Sequence, residues 1–112
     1  MDRLMTTCIR LFTGTDGRSH VETLPLPLHA PQAVKTAHFE ETPAHSSLDW
    51  HVAPCRQYVI TLSGTLEFVT RDGETFTLRP GDVLLAEDTA GTGHRWRLTD
   101  DQPWRRMYVE LG

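Results

Sequence analysis

The chain alternates. In "QYVITLS", residues 57–63, Gln57, Val59 and Thr61 fall on one side of an extended backbone and Tyr58, Ile60 and Leu62 on the other. The same two-residue period aligns His94, Trp96 and Leu98 against Arg95 and Arg97, and in the last run it sets Met107, Val109 and Leu111 against Tyr108 and Glu110. "CIRLFT", "SHVETL", "TLEFVT", "ETFTL" and "DVLLAE" are equally short, and most are rich in β-branched, aromatic or aliphatic residues. Turn chemistry separates them. "GTDG" and "RDGE" suit hairpin connections, and "RPGD" places Pro80 and Gly81 at the centre of a type II turn. "LPLPLHAP" has three prolines, so it is expected to be a loop or a sheet edge, whereas "AVKTAHFEE" is compatible with either a helical turn or a strand. With no amphipathic helical segment, roughly eight to ten strands predict an all-β antiparallel sandwich or barrel.

Length and charge narrow the partners. One domain is expected across the 112 residues, with residues 1–6 frayed. Eleven Lys and Arg stand against 15 Asp and Glu, a formal charge of −4, and the arginines are scattered, which argues against nucleic acid. No apolar run reaches the roughly 18 to 20 residues of a membrane span, and "MDRLMTTCIR" lacks the apolar centre of a secretory signal, so a soluble cytoplasmic protein is expected. Cys8 and Cys55 lie far apart without CxxC spacing and suggest neither a redox pair nor a structural zinc site.

Two stretches carry a resemblance. "DWHVAPCRQYVITLSG" and "LRPGDVLLAEDTAGTGH" resemble the two diffuse motifs of the cupins, G-x5-H-x-H-x3,4-E-x6-G and G-x5-P-x-G-x2-H-x3-N. The chain resembles a single-domain small cupin, over about residues 45–98. The resemblance implies a double-stranded antiparallel β-helix, that is, a jelly-roll barrel. It also implies one divalent metal such as Fe, Mn, Ni or Zn, and a homodimer formed through edge strands. The ligand positions depart from the pattern: His51 matches the first histidine, but Ala53 stands at the second and Gln57 at the glutamate. In the second motif Gly81 matches, Glu87 replaces the proline, and His94 arrives two residues late. The matching metal set is therefore His51, Gln57 and His94. Glu87 joins it only if its side chain turns inward, and His38 or His45 only if a neighbouring strand brings one of them alongside.

Physically this set is thin, because a neutral amide oxygen attracts a cation far less than a carboxylate does. The site is expected to comprise His51 and His94 as catalytic groups, with Gln57, Thr61, Trp96 and Trp50 binding a small molecule. Three classes of function are open. A metal enzyme of oxygenase, isomerase or lyase type would use His51, Gln57 and His94. A metal-free enzyme would use a histidine as acid and base, with Gln57 or Thr61 holding an oxyanion. A ligand-binding or sensing module would bind without turnover. Cys55, which follows Pro54 in an expected turn, has no neighbouring base in sequence.

Overall fold

The structure, a computed structural model, describes residues 6–112. Ten strands follow one another: β1 (Thr7–Thr13), β2 (Ser19–Pro25), β3 (Thr36–Thr42), β4 (Ser47–His51), β5 (Gln57–Ser63), β6 (Leu66–Thr70), β7 (Thr75–Leu78), β8 (Val83–Glu87), β9 (His94–Leu98) and β10 (Trp104–Glu110). They form two sheets, ordered β2-β1-β8-β5-β10-β3 and β4-β9-β6-β7. The all-β expectation holds, and the arrangement is that of a jelly-roll sandwich. "AVKTAHFEE" resolves as β3, paired along its length with β10. All strand pairings are antiparallel except β1 with β8, which run parallel and join the N-terminal hairpin to the centre of the larger sheet.

The turns behave as their residues dictate. Gly81 takes φ 91°, and the Asp82 amide donates to the Arg79 carbonyl at 2.9 Å, closing the "RPGD" turn. Gly73, at φ 83°, occupies the "RDGE" turn between β6 and β7. "LPLPLHAP" leaves β2 as a loop after Pro25. Residues 1–5, and with them most of the segment expected to fray, lie outside the described residues; Thr6 accepts a hydrogen bond from the Leu26 amide at 2.7 Å.

The inner faces of the two sheets make the core. Leu11, Val59, Leu84, Ala86 and Trp104 of the larger sheet meet Leu66, Phe68, Leu78, Trp96 and Leu98 of the smaller. Burial alternates along β5, β6 and β9 as the two-residue period requires. A second cluster of Cys8, Leu85 and Leu111, packed with Tyr58, Leu24 and Leu26, is separate from that core. Among the described residues no helix is long and apolar enough to cross a membrane.

Candidate functional site

A cavity of about 510 Å³ lies between the sheets. The larger sheet lines it with His38, Glu40, Gln57, Val59, Arg106 and Tyr108; the smaller contributes Leu48, His51, Phe68, His94 and Trp96. His51 and His94 are register partners across the β4–β9 pair, next to an irregularity that follows Leu48. Their ring centroids are 4.4 Å apart and their planes 60° apart.

Each imidazole is oriented by an acceptor. His51 Nδ1 donates to the Asp49 carbonyl at 2.7 Å, so its Nε2 carries the lone pair. Burial pushes the His51 pKa below 6.5, despite the opposing pull of the Asp49 carbonyl. His94 Nδ1 lies 2.6 Å from Asp88 Oδ2, which again leaves Nε2 as the unengaged ring nitrogen. Asp88 is fully buried; its Oδ2 also accepts from Ser19 Oγ at 2.7 Å, while Oδ1 has no hydrogen-bond partner among the described residues.

The loop before β9 is fastened to its surroundings. Thr92 donates its amide to the Gly17 carbonyl at 3.0 Å, and Thr13 Oγ1 donates to the Ala90 carbonyl at 3.0 Å. Gly93 has φ 74°, and a Cβ there would stand 2.2 Å from the His51 carbonyl oxygen. Only glycine permits that approach. The two additional residues in this segment are thus absorbed, and His94 still reaches the cavity.

The remaining expected residues divide. Gln57 lines the cavity, with its Oε1 accepting from Cys55 Sγ at 3.4 Å. Trp96 lines it too, edge-on to Trp104 at 4.9 Å between centroids. Thr61 is fully buried behind the cavity wall, its Oγ1 accepting from Trp104 Nε1 at 3.2 Å, so it does not line the site. Trp50 is also absent from the lining and instead carries the Arg71 and Arg95 guanidiniums at 4.0 and 5.1 Å from its ring centre. Glu87 does not turn inward: it pairs with Arg10 at 2.6 Å and with Arg56. Burial raises its pKa, but hydrogen bonds from the two arginines outweigh that and hold it low. His38 does reach the cavity, stacked on Tyr108, whereas His45 sits in a turn 3.1 Å from Asp101. Cys55 lies outside the lining, its thiol pKa raised first by burial.

Asp88, Ser19 and Arg106 emerge only from the fold. Arg106 shares its side of β10 with Trp104 and Tyr108, opposite Met107 and Val109, and the register of β10 on β5 shifts between Arg105 and Arg106, where Leu62 of β5 is left without a partner in that pair. On that side Arg106 and Tyr108 border the cavity with Trp104, while Leu111 joins the second cluster.

The donor set bears on metal. His51 and His94, each with Nε2 left free by an orienting partner, are suitable imidazole ligands. No third His, Cys, Asp or Glu among the described residues gathers with them; the one such grouping is Asp16, His20 and Asp72, near the N-terminal hairpin. There His20 is held by Asp16 at 2.8 Å and Glu74 at 2.9 Å, and Asp72 pairs with Arg18. Hydrogen bonds to Asp16 and Glu74 raise the His20 pKa, which suits an imidazolium rather than a ligand. Two histidines and an engaged amide do not fit a tightly held cation in the cavity.

The cupin domain family (Cupin_2) matches residues 37–110. The chain belongs to the cupin family. The fold of this cupin is similar to that in the crystal structure of protein NMB1881 from Neisseria meningitidis, with a TM-score of 0.50 and 13% sequence identity, covering 78% of this chain and 88% of that one. No curated protein sequence matches it closely enough to count as a relative.

Proposed function

We propose that this cupin binds a small organic molecule between its sheets and that His94, held by Asp88, exchanges a proton with it. One observation carries the reading: the His94 to Asp88 hydrogen bond of 2.6 Å at the wall of an open cavity. A carboxylate on Nδ1 fixes the ring's tautomer and steadies the imidazolium formed when Nε2 takes a proton, the arrangement general acid–base catalysis requires. His51, its own pKa lowered by burial, stands beside it as a neutral acceptor. General acid–base assistance of this kind contributes about 10² to 10⁴ in rate. The acid–base reading is preferred to the metal reading because no third His, Cys, Asp or Glu of the described residues gathers with His51 and His94, although His38 and Glu40 line the same cavity.

The test is exchange of carbon-bound hydrogen for deuterium in small carbonyl compounds, followed by proton NMR in deuterium oxide. Exchange should require the protein, persist in EDTA and be lost in His94→Gln. Absence of exchange throughout, or exchange that needs an added metal, overturns the reading.

A homodimer is also proposed. β3 is the edge of the larger sheet, pairs on one side only, and exposes Phe39 at 69%. Light scattering should give twice the chain mass for the parent protein and a monomer for Phe39→Glu.

A further inference from the structure

Arg106 is a buried cation without a counter-ion among the described residues. It is 8% exposed, yet it ion-pairs with no carboxylate of the described residues. Its Nε donates to Tyr108 Oη at 3.2 Å, and its Nη1 to Thr42 Oγ1 at 2.7 Å and to the Trp104 carbonyl at 3.0 Å. All three acceptors are neutral. The guanidinium carbon lies 3.9 Å from the Trp104 ring centre. Nη2 has no hydrogen-bond partner among the described residues, and it is not among the polar atoms sealed from solvent.

Glu40, the one carboxylate among the cavity's lining residues, is otherwise engaged. Glu40 is directly opposite Arg106 in the β3–β10 register, but its side chain is 52% exposed and lies 3.4 Å from His38 Nε2. Asp88 is occupied by His94 and Ser19. Arginine cannot shed its proton to escape burial, so a site that holds it on neutral acceptors alone leaves a positive charge facing whatever enters. The wall is mixed: it carries the polar side chains of His38, Glu40, His51, Gln57 and His94, and its apolar, aromatic part is supplied by Phe68, Trp96 and Trp104. A volume of about 510 Å³ accommodates a small ligand rather than a polymer.

We infer that the cavity's ligand is a small organic acid whose carboxylate lies on Arg106 and whose apolar body lies against Phe68, Trp96 and Trp104. The inference rests on the proposal that the cavity binds a small molecule and adds its chemical class. Arg106 then anchors one end of the ligand, and the proton-transfer step stays with His94.

Matched acids and amides test it: benzoate with benzamide, phenylacetate with phenylacetamide, and phenylpyruvate with its amide, titrated by calorimetry into the parent protein at pH 7 and pH 9. At least one acid should bind ten-fold or more tightly than its amide at both pH values. That preference should disappear in Arg106→Met and survive in part in Arg106→Lys, with circular dichroism confirming the fold of each variant. Equal binding of acids and amides overturns the inference while leaving the cavity a ligand site. A preference that vanishes by pH 9 overturns it too, because an imidazolium would then be the recognising charge. Should neither acids nor amides bind, both the inference and the proposal beneath it fail. If Arg106→Met does not fold, the parent and Arg106→Lys titrations still decide.

Discussion

His94 Nδ1 and Asp88 Oδ2 stand 2.6 Å apart, and the same carboxylate oxygen accepts from Ser19 Oγ at 2.7 Å. A fully buried carboxylate therefore ties β9, which carries His94, to β2, which carries Ser19. Asp88→Ala removes the shared acceptor and strands two buried donors. The expected loss is about 2 to 4 kcal/mol of stability, by denaturant unfolding, with Ser19→Ala costing about 1 kcal/mol. A loss within experimental error for Asp88→Ala would show that the pair is not made in solution.

Gly93 and Gly73 separate two costs that glycines can carry. Both have positive φ, but a Cβ at Gly73 meets open space while one at Gly93 meets the His51 carbonyl oxygen. Gly73→Ala should cost about 1 kcal/mol, the ordinary penalty of a left-handed residue. Gly93→Ala should cost clearly more and shift the NMR signals of the His51 and His94 rings, whereas Gly73→Ala leaves those signals in place.

The pKa values of His20 and His51 should depart from the ordinary value in opposite directions. Carboxylate partners raise the His20 pKa above 6.5, and burial lowers that of His51 below it. The stabilisation from His20 is complete below pH 6.5 and is lost as pH rises through its folded-state pKa. For His51 the neutral form is favoured by folding, so its contribution is present above pH 6.5 and is lost as pH falls through its depressed pKa. Ring-proton NMR titration measures both, and the reverse order would refute the two environments described.

Metal affinity should be gained by substitution. Ala53 and Gln57 both line the cavity near His51 and His94. Ala53→His with Gln57→Glu supplies an imidazole and a carboxylate to the existing pair. The double variant is expected to bind zinc at least a hundred-fold more tightly than the parent in calorimetry. A parent protein that already holds stoichiometric metal after dialysis against EDTA would contradict the reading of its donor set.

Much of the fold was legible because alternation and turn chemistry are local. β5, β6 and β9 follow the two-residue period, and Gly73 and Gly81 sit where their turns need them. His51, Gln57, Trp96 and His94 reach the cavity because their strands keep that parity. Thr61 has the same parity as Gln57, but four residues further along β5 it is covered by Trp104. Sequence spacing cannot show where a cavity stops. Arg106 was hidden because the alternation of Met107, Val109 and Leu111 marks the opposite side of β10 as the apolar one, and Asp88 by a hydrogen bond spanning 69 positions to Ser19. Such long-range pairings are properties of topology, with no trace in a short motif.

The parallel seam between β1 and β8 has a further consequence. The family match begins at residue 37, yet Ser19, Gly17 and Thr13 all fasten the segment that presents His94, and Arg10 holds Glu87 at its entrance. Residues 37–110 alone thus do not contain every residue that builds this site. Trimming the protein to the matched residues would remove Ser19, Gly17 and Thr13, and with them the scaffold that presents His94.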